Sequence, residues 1–393
     1  MDFDVVIVGA GPAGTAAAYP LAADGRRVLM LDRHSFPRSK PCAGGLTIKA
    51  LNLLPYSVAP VLERSTTGMT IGIRAAQNDL TEYLTKDEHI CSFAVRSAFD
   101  AFNFDKALSQ GVQFETAKNI SAVEETGHGV AIEADGRRIT ARYLIGADGA
   151  NGVVRRLAAT NDFFSRGFAL EGLVPYTAID SEPKAELFFG VVESGYGWLF
   201  PKGDHVNVGL YTKDDRVSLS KSALREYARE RVGTGEVECM VGYPLGFGGD
   251  KYRPSSDRIM LVGDAAGMAE PLIGEGLHNA LKTGQAAARA IMERDSGAAP
   301  DRPPGSAYAA LIDPVAKDTR RCRRLAKLFY GNLTGFGGAA LHFSLTKAAL
   351  LNGFAAGRTM HQISNTFLWS GLYQPSTPPS LAEFLQTDRR LAA

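Results

Sequence analysis

The sequence predicts an α/β protein in which a buried parallel sheet is followed by a layer of antiparallel sheet and a helical C-terminal tail. Three observations carry this. Residues 4–8, Asp-Val-Val-Ile-Val, are a short apolar run that ends in Gly9-Ala-Gly11-Pro12-Ala13-Gly14 and an alanine-rich stretch, the pattern of a parallel strand turning into a helix. Two later apolar runs, 143–145 and 259–262, also close on glycine-aspartate pairs. Between about 165 and 215 the helical period gives way to short alternating segments bounded by turn residues.

Composition narrows the class. The chain has 393 residues, 45% hydrophobic and 22% charged, with 43 basic against 42 acidic side chains. That is enough chain for two to three globular units, and disorder is excluded. A net charge of +1 removes the broad positive field that nucleic-acid binding uses, so no nucleic-acid partner is expected. Cys42, Cys91, Cys239 and Cys322 form no CxxC pair, so no metal site or iron–sulfur cluster is expected and electrons must come from an external donor. The chain opens Met-Asp-Phe-Asp, without the basic region and apolar core of a signal peptide, which reads as cytoplasmic. Residues 328–346 lack formal charge but contain four glycines. A spanning helix is not expected there, and lying on a membrane surface stays open as an alternative.

The elements follow in order. After strand 4–8 come a helix at 14–23 and a strand at 28–31 closing at Asp32, one complete βαβ unit. Residues 97–110 read as an amphipathic helix with Ala98, Phe102 and Leu108 inward. Strands are expected at 112–114, 120–124, 130–133, 138–141 and 143–145, and in the second layer at 168–176, 184–189, 197–200 and 206–210. A strand at 259–262 and a long helix at 276–294 precede a proline- and glycine-rich linker, 297–305. A second low-complexity run lies at 375–379. The expected partition is a discontinuous nucleotide-binding domain (1–70, 91–160 and 250–296), an antiparallel-sheet substrate domain (71–90 and 161–249), and a helical region at 306–393.

Gly9, Gly11 and Gly14, with Pro12 and Ala13 between them, allow a tight turn, close approach of a pyrophosphate, and helix–strand packing. The helix N-terminus then faces the phosphates. Asp32, with Arg33 beside it, ends the next strand where a carboxylate can take ribose hydroxyls. Pro271-Leu-Ile-Gly274-Glu-Gly276 precedes the long helix, so its backbone N–H groups and dipole are available to an anion.

Gly146-Ala-Asp148-Gly149, Gly263-Asp264 and the intervening Val95-Arg96-Ser97-Ala-Phe99-Asp100 resemble the FAD signature of hydroxylase-type flavoproteins, which share the aromatic-hydroxylase, Rossmann-type fold. The resemblance implies FAD as cofactor, with Arg96 and Asp148 near the ribose and pyrophosphate and Asp264 on the ribityl chain. Two further segments, Lys40-Pro41-Cys42-Ala43-Gly44-Gly45-Leu46 and Gly195-Tyr196-Gly197-Trp198-Leu199-Phe200-Pro201-Lys202-Gly203-Asp204, resemble the geranylgeranyl reductase family. That resemblance places Cys42, Ala43, Gly44 and Gly45 by the flavin ring, and Tyr196, Trp198 and Phe200 along a prenyl pocket. Gly44 and Gly45 are expected to let backbone approach the planar ring, and alternation puts the three aromatics on one strand face.

The implied function is FAD-dependent reduction of carbon–carbon double bonds in an isoprenoid or other long apolar substrate, by hydride from flavin N5 with a proton from Cys42 or Tyr196. NADPH and ferredoxin-like proteins are the alternative donors. A flavin monooxygenase or halogenase shares every FAD motif, although halogenases of this fold carry tryptophan where Tyr196 stands. A non-catalytic flavin-binding protein is the alternative of another class. The basic run Arg320, Arg321, Arg323 and Arg324 is read as a solvated helix face, with lipid headgroups as its other use.

Overall fold

Val5, Val6, Ile7 and Val8 offer no polar group to either face, and the strand Phe3–Val8 lies at the centre of the first sheet. A computed structural model describes residues 1–158, 163–297, 302–360, 362–363 and 365. In this sheet Phe3–Val8 pairs in parallel with Val28–Asp32 on one side and Arg137–Gly146 on the other. Gln113–Thr116 extends the first side and Ile259–Leu261 pairs with the end of Arg137–Gly146, both in parallel. The antiparallel strands Val130–Ala134 and Ile120–Glu125 complete it. The two strands expected at 138–141 and 143–145 are one. Its first half takes the antiparallel neighbour and its second half the parallel one.

The helix Pro12–Ala23 packs against both Arg96–Leu108 and Leu277–Asp295. Contact with the latter is backbone-close, because a Cβ on Gly284 would stand 2.2 Å from the Ala13 carbonyl oxygen. Helix Arg96–Leu108 buries Arg96, Phe99, Asp100, Asn103, Phe104 and Ala107, whereas of the expected Ala98, Phe102 and Leu108 the last two pack on core clusters only partly buried. The reason is that the inner face must carry the Arg96–Asp100 ion pair, while Phe102 turns aside to meet Tyr56 edge-on at 6.1 Å.

The second sheet runs in the order Glu238–Phe247, Ser165–Pro175, His205–Thr212, Gly195–Pro201, Glu186–Phe189, Gly68–Ile73, Leu80–Thr85. It is antiparallel except that Glu186–Phe189 and Gly68–Ile73 run in parallel. Alternation divides its faces. Leu199, Val206, Val208 and Leu210 pack under the helix Lys221–Val232 with its Leu224 and Tyr227. Tyr196, Trp198 and Tyr211 face the other way, toward Ala43, Ile273 and the C-terminal helix.

That helix, Pro304–Gly331, is followed by a π-helical turn, Leu333–Gly337, and the short helices Gly338–His342 and Ser344–Ala355. Among the described residues no helix is long and apolar enough to cross a membrane. The run at 375–379 lies outside the described residues, as does part of the 297–305 linker.

The sheet face that carries Trp198 has no slack, since a Cβ on Gly209 would sit 2.0 Å from its indole ring. Gly209→Ala is therefore expected to destabilise the protein by about 1–3 kcal/mol. Gly127→Ala, with nothing within 4 Å, is expected to stay within about 0.5 kcal/mol of wild type. Thermal unfolding of the two variants checks this.

Candidate functional site

The turns that follow Val8, Asp32, Gly146 and Leu261 all leave the same, C-terminal edge of the parallel sheet, where α/β sheets bind their ligands. The turns also rest on one another. A Cβ on Gly9, whose φ is +103°, would stand 2.3 Å from the Ala147 carbonyl oxygen, and one on Gly14 would stand 1.9 Å from that of Gly9. A Cβ on Gly263, whose φ is +57°, would stand 3.0 Å from the Ala13 methyl. Gly11 differs, because within 4 Å a Cβ there would meet only the tip of the Arg38 side chain. Of the three motif glycines it is the one that borders open space.

Charge lines this cleft. Asp32 Oδ2 accepts from the Ala10 N–H at 3.0 Å and Oδ1 from the His34 N–H at 3.1 Å, so it braces the first turn. Arg96 makes a bidentate pair with Asp100, at 2.8 and 2.9 Å, and Arg38 reaches the same carboxylate at 3.4 Å. Burial disfavours the Arg96 charge, but Asp100 and then the nearby Cys42 side chain outweigh it and hold the guanidinium protonated. Asp148 accepts the N–H groups of Val153 and Val154 at 2.6 and 2.9 Å. Its other oxygen is buried without a hydrogen-bond partner, and burial raises the carboxyl. Gly149 continues that turn with φ +77°. Asp264 is likewise raised by burial, against the opposing charges of Lys40 and Arg96. Arg33 stands at the exposed edge, within electrostatic reach of Tyr243.

The loop that carries Cys42 is held by a residue the sequence reading passed over. Lys202, 2% exposed, donates to the carbonyls of Ala43, Ala94 and Gly44 at 2.8, 3.1 and 3.4 Å. Burial pushes its ammonium down to about 8. Gly44 and Gly45 also have a steric cause within the protein. A Cβ on Gly44 would stand 2.0 Å from the Ala94 oxygen, and one on Gly45 2.9 Å from the Phe200 ring. Cys42 itself is exposed, with its N–H donating to Glu171 Oε1 at 2.8 Å.

Across from it lies the segment 270–276, whose Glu275 pairs with Lys49 at 2.5 Å and accepts from the Thr47 hydroxyl at 2.6 Å. Gly274 takes φ +70°, and Gly276 starts the helix Leu277–Asp295 with no side-chain cap, 3.1 Å from Asp264 Oδ1 at its Cβ position.

The three aromatics of the Gly195–Pro201 strand share a face as expected, with different surroundings. Tyr196 donates its hydroxyl proton to the Ile273 carbonyl at 2.5 Å, and burial raises the phenol strongly. Both facts argue against Tyr196 as the proton source. Trp198 donates to Asn207 Oδ1 at 2.7 Å, and Phe200 packs on Phe93 at 4.9 Å. The basic run on the C-terminal helix is not the uniformly solvated face expected. Arg323 pairs with buried Asp250 at 2.5 Å, while Arg320 donates to the Asp250 carbonyl at 3.2 Å. Lys202, Arg38, Glu171 and Glu270 left no signal in spacing, because each meets its partners through the fold.

The FAD binding domain family matches residues 2–167. A digeranylgeranylglycerophospholipid reductase of Methanopyrus kandleri is 31% identical over 76% of this chain and 80% of its own length. The chain belongs to the geranylgeranyl reductase family of FAD-dependent oxidoreductases. An uncharacterized protein of Methanosarcina barkeri is 34% identical over 84% of each chain. Among solved structures, a geranylgeranyl bacteriochlorophyll reductase-like protein of Thermoplasma acidophilum superposes with a TM-score of 0.65 at 20% identity, covering 98% of this chain and 95% of its own. The flavin-dependent brominase Bmp2 does so with a TM-score of 0.69 at 17% identity, covering 94% and 98%. At those identities the likeness is one of fold. FAD, the cofactor of this reductase-family chain, suits the residues present: Gly11 borders open space, Asp148 has an oxygen to spare, and the helix at Gly276 is uncapped.

Gly11→Val should therefore lose FAD while keeping its fold, because the added methyl groups enter the cleft and not the core. FAD released per chain on denaturation, together with circular dichroism, checks this.

Proposed function

We propose that this protein is a reductase that saturates carbon–carbon double bonds of an isoprenoid or similarly long apolar substrate. The observation that carries the reading is the position of the aromatic face. Tyr196, Trp198, Tyr211, Phe189 and Phe329 form one apolar cluster with Ala43 of the Cys42 loop and Ile273 of the loop before Gly274. An apolar chain in that wall would lie against both loops that border the nucleotide cleft.

On this reading Gly9, Gly11, Pro12, Ala13, Gly14, Asp32 and Arg33 hold the ADP half of FAD. Arg96, Asp148, Gly149, Gly263 and Asp264 hold its pyrophosphate and ribityl parts, and Cys42, Ala43, Gly44, Gly274 and Gly276 border the ring. When bound and reduced, FAD supplies a hydride to one alkene carbon. Cys42 supplies the proton to its neighbour. Cys42 then regains a proton from solvent, to which it is exposed, and the guanidinium of Arg96 lies within electrostatic reach. The aromatic wall excludes water from the double bond.

Reduced enzyme should be reoxidised by a geranylgeranyl lipid faster than by oxygen, with two mass units gained per bond saturated. Cys42→Ala should keep FAD and lose about 100-fold in turnover, in the range of general-acid effects. Anaerobic stopped-flow and product mass spectrometry decide. Oxygen incorporated into product would make the protein a monooxygenase, and unchanged turnover would return Cys42 to packing.

A lipid chain leaving a bilayer for water costs about 0.8 kcal/mol per methylene, so direct handover at a membrane surface fits this substrate class. The side chains suited to it are Leu328, Phe336, Phe343 and Leu345, exposed by 57, 52, 60 and 81%, beside a helix end whose Phe329 and neighbouring Leu333 line the pocket wall. Replacing Phe336, Phe343 and Leu345 with Ser should weaken sedimentation with anionic vesicles and leave bound FAD intact. Equal sedimentation of variant and wild type would remove the membrane from this reading.

A further inference from the structure

The segment 271–274, between the pocket wall and the helix at Gly276, has its peptide groups taken up by side chains from three directions. Pro271 has no N–H, and its carbonyl accepts from the Tyr211 hydroxyl at 3.2 Å. The Leu272 and Ile273 N–H groups donate to the two carboxyl oxygens of Glu270, at 2.6 and 3.0 Å. The Ile273 carbonyl accepts from Tyr196 at 2.5 Å, and the Gly274 N–H donates to the Glu270 carbonyl at 2.9 Å. The Leu272 carbonyl accepts from the hydroxyl of Tyr330 at 2.7 Å. Tyr196 and Tyr211 come from adjacent strands of the second sheet, whereas Tyr330 comes from the far end of the C-terminal helix.

We propose that Tyr330 is a positioning residue for the flavin, acting through the Leu272 carbonyl to set the backbone of Gly274 and Gly276. This rests on the placement of that loop beside FAD given above. Three features support it. The phenols of Tyr196, Tyr211 and Tyr330 are all raised by burial, so each stays a proton donor throughout the working pH range. The loop turns at once into an uncapped helix start, where Gly276 stands against Asp264, so a shift of Leu272 is passed to the N–H groups that would meet an anionic ring. The C-terminal helix is itself fixed where it could otherwise slide. Tyr308 donates to the Leu261 carbonyl at 2.7 Å, and Arg323 pairs with Asp250 at 2.5 Å. A tail without a nucleotide motif thus supplies one of the three hydroxyls that shape the cofactor loop.

Tyr330→Phe removes the donor and keeps the ring, which packs on Phe329 at 5.3 Å. In the FAD-loaded protein the expected result is a dissociation constant for FAD weakened threefold or more, with the flavin absorption maximum and midpoint potential both displaced. Tyr211→Phe should displace them too, because it frees the adjacent carbonyl. Lys327→Gln, on the exposed side of the same helix, should leave all three readouts at wild-type values. Tyr330→Phe with wild-type affinity, spectrum and potential would overturn the proposal, as would equal effects from Lys327→Gln. None of these measurements uses a substrate, so their outcome is separable from whether a prenyl lipid is reduced.

Discussion

Close backbone contact at one edge of the parallel sheet is the constraint on which the rest of the molecule depends. Gly9 rests on Ala147, Gly14 on Gly9, Gly263 on Ala13 and, one helix turn further, Gly284 on Ala13. Backbone meets backbone at all of these contacts but that of Gly263, where only the Ala13 methyl intervenes, so three segments far apart in sequence are locked at close spacing. Backbone N–H groups and the carboxyls of Asp148 and Asp264 then converge on one cleft. A single methyl group at most of these contacts would force strand and helix apart, and in an interior packed to crystal density such a displacement spreads.

The second layer is joined to the first by buried polar groups. Lys202 crosses from the strand end to three carbonyls, and its positive charge is met by dipoles, with Glu171 and Glu63 acting at longer range. Glu270 is the counterpart in negative charge. It is 3% exposed and raised by burial to about 7, and its two oxygens serve two N–H groups of its own loop. Burying such groups is costly unless every proton and lone pair finds a partner. Their presence at the loops beside the cleft fixes loop shape where apolar packing alone would leave it adaptable.

How much of this was legible in the sequence follows from whether a feature is local. The strand–turn–helix at Phe3–Ala23, the Gly-Asp turns and the alternation of Tyr196, Trp198 and Phe200 are written within a few residues and could be read. The inner face of Arg96–Leu108 was misjudged because hydrophobic periodicity gives no weight to a buried ion pair, and Arg96 with Asp100 is what that face carries. The reason for Gly44 and Gly45 lies in Ala94, Lys202 and Phe200, which no local pattern connects to them. Asp250, which holds Arg320 and Arg323, precedes them by 70 residues or more, and so the arginines looked like a free surface. Tyr330 is hidden for the same reason.

The one parallel pairing in the second sheet has a consequence for how the chain folds. Gly68–Ile73 is made before half of the nucleotide sheet exists, yet its neighbour Glu186–Phe189 is more than a hundred residues away. The chain visits the second layer, returns to finish the first, goes back, and returns again at Ile259–Leu261. Neither layer is contiguous, and neither can be completed during synthesis before most of the polypeptide has emerged. Such long-range pairings close late and slowly, because loop entropy must be lost before the contacts form. The same threading ties the aromatic cluster of the second layer to the cleft of the first along the covalent chain, so that the two parts are obliged to assemble as a single cooperative unit.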